Sequence, residues 1–311
     1  MGRTAVLYHG RAMRPTAADI LGLVRAPFLL LNFSCVAAGA ATAYWRTGNV
    51  DWKDALLALA GAVLAHASVN SLNEYSDFAT GVDAHTRRTP FSGGSGTLQR
   101  RPRLAGFALG IGLSGAALTA LIGLYFILTR GYAILPLGLL GLAIVLLYTP
   151  WLTRSPALCL VAPGLGFGTA MVMGTDLVLG GTWSRAGFAA SLVPFFLVSN
   201  LLLLNQFPDL AADRAAGRRN IVTEHGLRSG AWVYTLFQAG AYLSVALATL
   251  LRILPPLSLL VLITVPLAVR TSLGAFRDAR SAARLLPALG LNVVINLATP
   301  LLLAAGLVLS R

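Results

Sequence analysis

Nine stretches of this chain are apolar enough and long enough to cross a bilayer, and that pattern constrains the fold more than any motif does. Their approximate limits are 24–45, 54–76, 104–128, 132–150, 157–180, 186–206, 230–251, 254–270 and 288–310, each near the ~20 residues a bilayer requires. The eighth is the shortest and begins at Pro255-Pro256. Composition agrees: 56% of residues are apolar, 11% are charged and the mean hydropathy is +0.74. Soluble domains carry roughly 25% charge, so 311 residues of this kind cannot make a water-facing surface. The expected fold class is all-α: a polytopic membrane protein of nine transmembrane helices. Residues 1–311 read as one domain with no separate soluble unit.

The net charge of +13 is a matter of membrane topology. Counted on alternate sides of the nine spans, eighteen Lys and Arg fall on the side of the N-terminus and six on the other. By the positive-inside rule the N-terminus is cytoplasmic and the C-terminus outside. No basic patch with interleaved aromatics appears, so nucleic acid is not an expected partner. Cys35 and Cys159 lie in apolar spans and read as small buried hydrophobes, and no thiolate metal spacing exists. The basic N-terminus ends in no small-residue cleavage site, and no cleaved signal peptide is expected.

Acidic residues are the scarce commodity. The chain has eleven, and six of them (Glu74, Asp77, Asp83, Asp209, Asp213, Glu224) fall in or just after two stretches, Asn70–Asp83 (NSLNEYSDFATGVD) and Asn205–Gly217 (NQFPDLAADRAAG). In the first, His66, Asn70, Asn73 and Asp77 share one helical face. In the second, Asn205, Asp209 and Asp213 do the same. Read alone, the first stretch is open to a simpler account in which the asparagines glue helices and the acids are solvated. The duplicate weakens that account. The stretches end the second and sixth spans, so both emerge on the same face. The chain is then a weak parallel repeat, helices 1–4 and 5–8 plus helix 9, around a central cytoplasm-facing cavity. Two Asn/Asp faces meeting there offer the hard oxygen ligands Mg²⁺ prefers, leaving positions for water and a substrate diphosphate. Arg87, Arg88, Arg218 and Arg219 follow the acids closely and supply forks for phosphate oxygens, or serve topology alone. The run Thr89–Gly96 (TPFSGGSG) reads equally as a phosphate-binding turn, a mobile lid or a plain hairpin, and it is not a P-loop. Asp176 reads as structural and Asn292 with Asn296 as interhelical hydrogen-bond partners. His225 reads as a loop histidine.

NxxNxxxDxxxxxD on the second span with NxxxDxxxDxxxG on the sixth resembles the UbiA superfamily of intramembrane prenyltransferases. The details are most similar to its dihydroxynaphthoate, menaquinone-pathway branch. LYTPW (Leu147–Trp151) and MVMGT (Met171–Thr175) are also similar to segments of those enzymes, so the resemblance spans most of the chain. It implies that Asn73, Asp77, Asp83, Asn205, Asp209 and Asp213 hold a Mg²⁺-diphosphate, with two ions. It further implies that Arg88 and Arg218 contact phosphate and that Tyr148 lies near the reacting carbon. Asn70, Arg87 and Arg219 join the expected substrate-binding set; Asp77, Asp209 and Tyr148 are the expected catalytic residues. Two departures stand out: Glu74 occupies a position where most relatives have Asp, and TPFSGGSG is unlike the stretch expected in quinone enzymes. The expected function is Mg²⁺-dependent transfer of a prenyl group from a prenyl diphosphate to an aromatic, quinone-precursor acceptor in the cell (inner) membrane. A terpene cyclase that ionises the same substrate without an acceptor is the first alternative, and an ion-coupled transporter the second.

Overall fold

The computed structural model describes residues 14–81, 89–91, 93–215 and 217–311. Among them every regular element is helical. In chain order the spans are α1 (Ala26–Thr47), α2 (Trp52–Thr80), α3 (Pro102–Arg130), a shorter α4 (Tyr132–Leu147), α5 (Pro156–Gly180), α6 (Arg185–Ala215), α7 (Ile221–Leu250), α8 (Pro256–Arg277) and α9 (Ala282–Leu309). All but α4 have the length and composition to cross a membrane. The nine apolar stretches are therefore nine helices, with one correction: the fourth is the shortest, and the eighth is not. Pro150 disfavours helical backbone at Thr149, so α4 stops at Leu147. The eighth opens as a 3₁₀ helix at Pro256 and continues past Arg270 to Arg277.

Local chemistry sets the ends that matter. Asp51 caps α2 by accepting the N–H groups of Lys53 and Asp54. At the other end Gly81 takes φ +75°, a left-handed conformation that a side chain resists, and the helix stops. Asp77 is thus held in the last turns of α2. The sixth span runs nine residues beyond its apolar limit at 206, through Pro208, to Ala215. Asp209 and Asp213 therefore lie within a helix, and Asp213 is buried, against the reading of a solvated loop acid.

The most buried span is α6, which packs against α1, α5, α7 and α9. Its seam with α5 depends on two glycines one turn apart. A Cβ on Gly164 would sit 2.2 Å from the Phe195 carbonyl oxygen, and one on Gly168 would sit 2.4 Å from the Ser191 carbonyl oxygen. Without a hydrophobic drive between helices in lipid, such close backbone approach is a main source of packing energy. On the far side, the Tyr234 hydroxyl of α7 bonds Thr271 of α8 and Asn292 of α9, both at 3.0 Å. Asn292 is the interhelical partner expected, whereas the hydrogen bonds of Asn296 return to Asn292 on its own helix. Asp176 accepts from Ser184 at 2.6 Å and faces Arg46 at 3.5 Å, a structural tie between α1 and α5. Leu121, Leu128, Leu243 and Leu250 are among the large side chains left exposed, as a lipid-facing surface requires.

Candidate active site

A cavity of about 580 Å³ opens between α2, α3, α4, α5 and α6. Its two ends differ in chemistry. Ala58 and Asp77, both lining it on α2, lie nineteen residues apart, about 28 Å of helix. Near Ala58 the walls are apolar, with Ala62, Phe126, Ile134 and Leu139. Near Asp77 they are polar: Asn70 and Asn73 join from α2, and Asn205, Asp209 and Asp213 from α6. Arg218 and Arg219 complete that end from the α6–α7 connection, with Tyr148 from the end of α4. Asp83, Arg87 and Arg88 lie outside the described residues.

The two motifs meet through Arg218. Its guanidinium pairs with Asp77 and approaches Asp213 Oδ1 at 3.6 Å, so a single cation stands between the carboxylates of two helices. Asp213 is fixed from its other side, where Asn220 Nδ2 donates to Oδ2 at 2.9 Å. Asn220 also caps α7, its Oδ1 accepting from Val222 N at 3.0 Å and Thr223 N at 2.9 Å. One amide therefore orients a cavity acid and starts the next helix. Asn220→Ala is expected to lower stability by about 1 kcal/mol through the lost cap, read as a lower thermal midpoint, and to slow turnover by releasing Asp213.

On α2, Asn73 donates to Thr149 Oγ1 at 3.3 Å and accepts from Arg25 at 3.1 Å, while Asn70 donates to the Val24 carbonyl at 2.9 Å. These asparagines line the cavity and also glue helices. Glu74 has a different job. It accepts from Arg25 Nε, Ser95 N and Ser95 Oγ, each at 2.8 Å. Its carboxylate thus fastens the Gly-Ser end of the Thr89–Gly96 run to α2, leaving Gly93 and Gly94 at the cavity wall. Arg25 itself has φ +50°, a conformation costing a non-glycine residue roughly 1–2 kcal/mol. Arg219 lines the cavity but bonds Glu224 at 3.0 Å, which raises its pKa above the ordinary arginine value.

Residues 32–309 match the UbiA prenyltransferase family. The chain belongs to that family. It is 30% identical to the 1,4-dihydroxy-2-naphthoate octaprenyltransferase of Mycobacterium tuberculosis (strain ATCC 25618 / H37Rv) over 275 residues, 82% of this chain and 84% of the relative. It is 29% identical to the enzyme of the same name from Escherichia coli (strain K12) over 299 residues, 93% and 94% of the two chains. A UbiA homolog from Archaeoglobus fulgidus bound to GPP and Mg²⁺ superposes with a TM-score of 0.62 at 17% identity, covering 92% of this chain and 99% of that one. The apo UbiA homolog from Aeropyrum pernix K1 gives 0.69 at 18% identity, covering 91% and 98%. At those identities the structures establish a shared fold. The chain is a UbiA-type prenyltransferase with menaquinone-branch relatives, as the motifs implied.

The donor set of this UbiA-family cavity fits magnesium. Three carboxylates and three asparagine amides from α2 and α6 line its polar end, and hard oxygens are what Mg²⁺ binds. The position between Asp77 and Asp213 already receives a cation, the Arg218 guanidinium. Among the described residues no three His, Cys, Asp or Glu side chains form a closed metal cage. Arg25, Ser95 and Asn220 are site residues that sequence reasoning passed over. Only Asn220 carried a legible signal: Asn-x-x-Thr ahead of an apolar run, a helix-start pattern.

Proposed function

We propose that this prenyltransferase moves the prenyl group of a prenyl diphosphate onto an aromatic acceptor of the dihydroxynaphthoate class, with Mg²⁺, inside the membrane. The observation that carries the reading is the Arg218 bridge between Asp77 of α2 and Asp213 of α6, placed at the polar end of a long apolar cavity. The polar end takes the diphosphate, and the apolar length takes the isoprenoid tail. The Lys and Arg count supports a polar end and N-terminus on the cytoplasmic side and a C-terminus outside. The relatives named as octaprenyltransferases support the acceptor class.

Asp77, Asp209 and Asp213, with Asn73 and Asn205, would hold the metal, and Asp83 belongs to the same set. Bound Mg²⁺ would supply neutralising charge to the diphosphate oxygens as the allylic C–O bond breaks. Arg218 and Arg219, joined by Arg87 and Arg88, offer planar forks to the same oxygens, and Asn70 ties α2 to the Val24 carbonyl ahead of α1. The diphosphate departs with the bonding electron pair, leaving an allylic cation. Apolar walls exclude water from that cation, and the ring of Tyr148 gives it a π face. A ring carbon of the acceptor then donates an electron pair to form the new C–C bond. Loss of a ring proton, or of a ring carboxylate as CO₂, restores aromaticity.

The test is an assay of purified protein with Mg²⁺, a series of prenyl diphosphates and a series of aromatic acceptors. The expected product is a prenylated aromatic, formed with Mg²⁺ and lost on chelation with EDTA. Diphosphate release with a cyclic hydrocarbon from geranylgeranyl diphosphate alone, and no acceptor product, would overturn the reading in favour of a cyclase.

A further inference from the structure

Among the described residues, the cavity-wall side chains with a buried atom that has no hydrogen-bond partner include His66, through Nδ1, and Gln206, through Oε1. His66 lies eleven residues from Asp77 on α2, about 16 Å along the helix, and its ring packs edge-on against Phe167 at 4.8 Å. That is too deep to reach the breaking bond. Gln206 lies three residues from Asp209, about 4.5 Å along α6, beside the carboxylates proposed to hold the diphosphate. Its Nε2 donates to the Cys159 thiol of α5 at 3.6 Å, and Tyr148 lines the same cavity. All three line the cavity, and none is a carboxylate or amide of the two motifs' metal-binding set.

We infer that Gln206, backed by Cys159 and Tyr148, forms the subsite that receives a hydroxyl of the aromatic acceptor. This rests on the proposed function and names the recognition within it. A buried amide oxygen without a donor is costly, so the bound state is expected to satisfy it. The ionised diphosphate is acceptor-only, and the isoprenoid tail has no polar atom. Neither can donate. The phenolic O–H of the acceptor can, and from Gln206 its ring lies beside the carbon that loses diphosphate. Gln206 is thus a specificity-determining residue, choosing hydroxylated rings over bare or etherified ones.

The experiment compares wild type with Gln206→Leu and Gln206→Asn, using 1,4-dihydroxy-2-naphthoate and its two monomethyl ethers as acceptors at saturating prenyl diphosphate and Mg²⁺. In wild type, one ether is expected to show a KM raised about tenfold, the worth of one hydrogen bond. Gln206→Leu is expected to raise the KM of the parent acceptor by a similar factor and to abolish discrimination against that ether. Gln206→Asn is expected to recover part of the discrimination. The KM for prenyl diphosphate is expected to stay within about twofold in both variants, a readout that a misfolded cavity would not preserve. Undiminished discrimination in Gln206→Leu, or an equal loss for both substrates, overturns the inference alone. Wild type that prenylates no aromatic acceptor overturns the proposed function and the inference with it.

Discussion

Asp77→Ala and Asp209→Ala are each expected to lower the rate of prenyl transfer at least ~100-fold, because each deletes a carboxylate from a donor set that two helices must complete together. Both residues line the polar end of the cavity, one in the last turns of α2 and the other near the end of α6. Loss of Asp77 has a second consequence. The guanidinium bridging the helices then loses its nearer anchor and keeps its longer 3.6 Å contact with Asp213. The fold itself is expected to survive both changes. The Arg218 side chain is a third exposed, so water can solvate what the variant leaves unpaired. The measurement is initial rate against Mg²⁺ concentration, with thermal unfolding in detergent as the control for folding. Near-normal turnover in either variant would remove that residue from the metal set.

Gly168→Leu is expected to be strongly damaging although it lies away from the polar end. The leucine Cβ would meet the Ser191 carbonyl oxygen at 2.4 Å and Phe195 backbone atoms at 2.7 and 2.9 Å. Backbone cannot rotate aside as a side chain can, so α5 must move off α6. Overpacking of this kind costs about 3 kcal/mol at the upper end of its usual range. It would also widen a cavity whose wall includes Phe167 and Ala170 of α5 and Leu201 and Asn205 of α6. A lower thermal midpoint and loss of activity are expected together. Gly110→Ala on α3 is the control: no atom lies within 4 Å of the added Cβ, and stability is expected to hold or rise slightly. Equal behaviour of the two variants would show that the α5–α6 seam does not depend on close approach.

Much of the architecture was legible because a membrane simplifies the problem. Backbone polar groups in lipid must be satisfied internally, so an apolar run of sufficient length is a helix, and nine runs are nine helices. The boundary errors fall where polarity and helicity part company. Asp209 and Asp213 ended the apolar reading of α6, yet the helix continues to Ala215, with Asp213 held by Asn220 and facing Arg218. Similarly, α8 runs past Arg270 to Arg277, since that side chain sits on an exposed face. The role of Glu74 was hidden for another reason. In the sequence it stood out only as a departure from relatives that carry Asp, and only the positions of Arg25 and Ser95 show what its oxygens bind.

The sequence by itself determined the membrane class, the nine spans, the family and the residue types of the polar end. These follow from hydropathy, the scarcity of acids and their helical spacing, all properties of neighbours along the chain. Only the tertiary structure decided which atoms meet: that Arg218 stands between Asp77 and Asp213, that Asn220 holds Asp213 while capping α7, and that Gln206 points its amide at Cys159. Such contacts join residues as far apart as 77 and 218. They depend on how closely glycine-faced helices can approach, which no local pattern of polarity encodes.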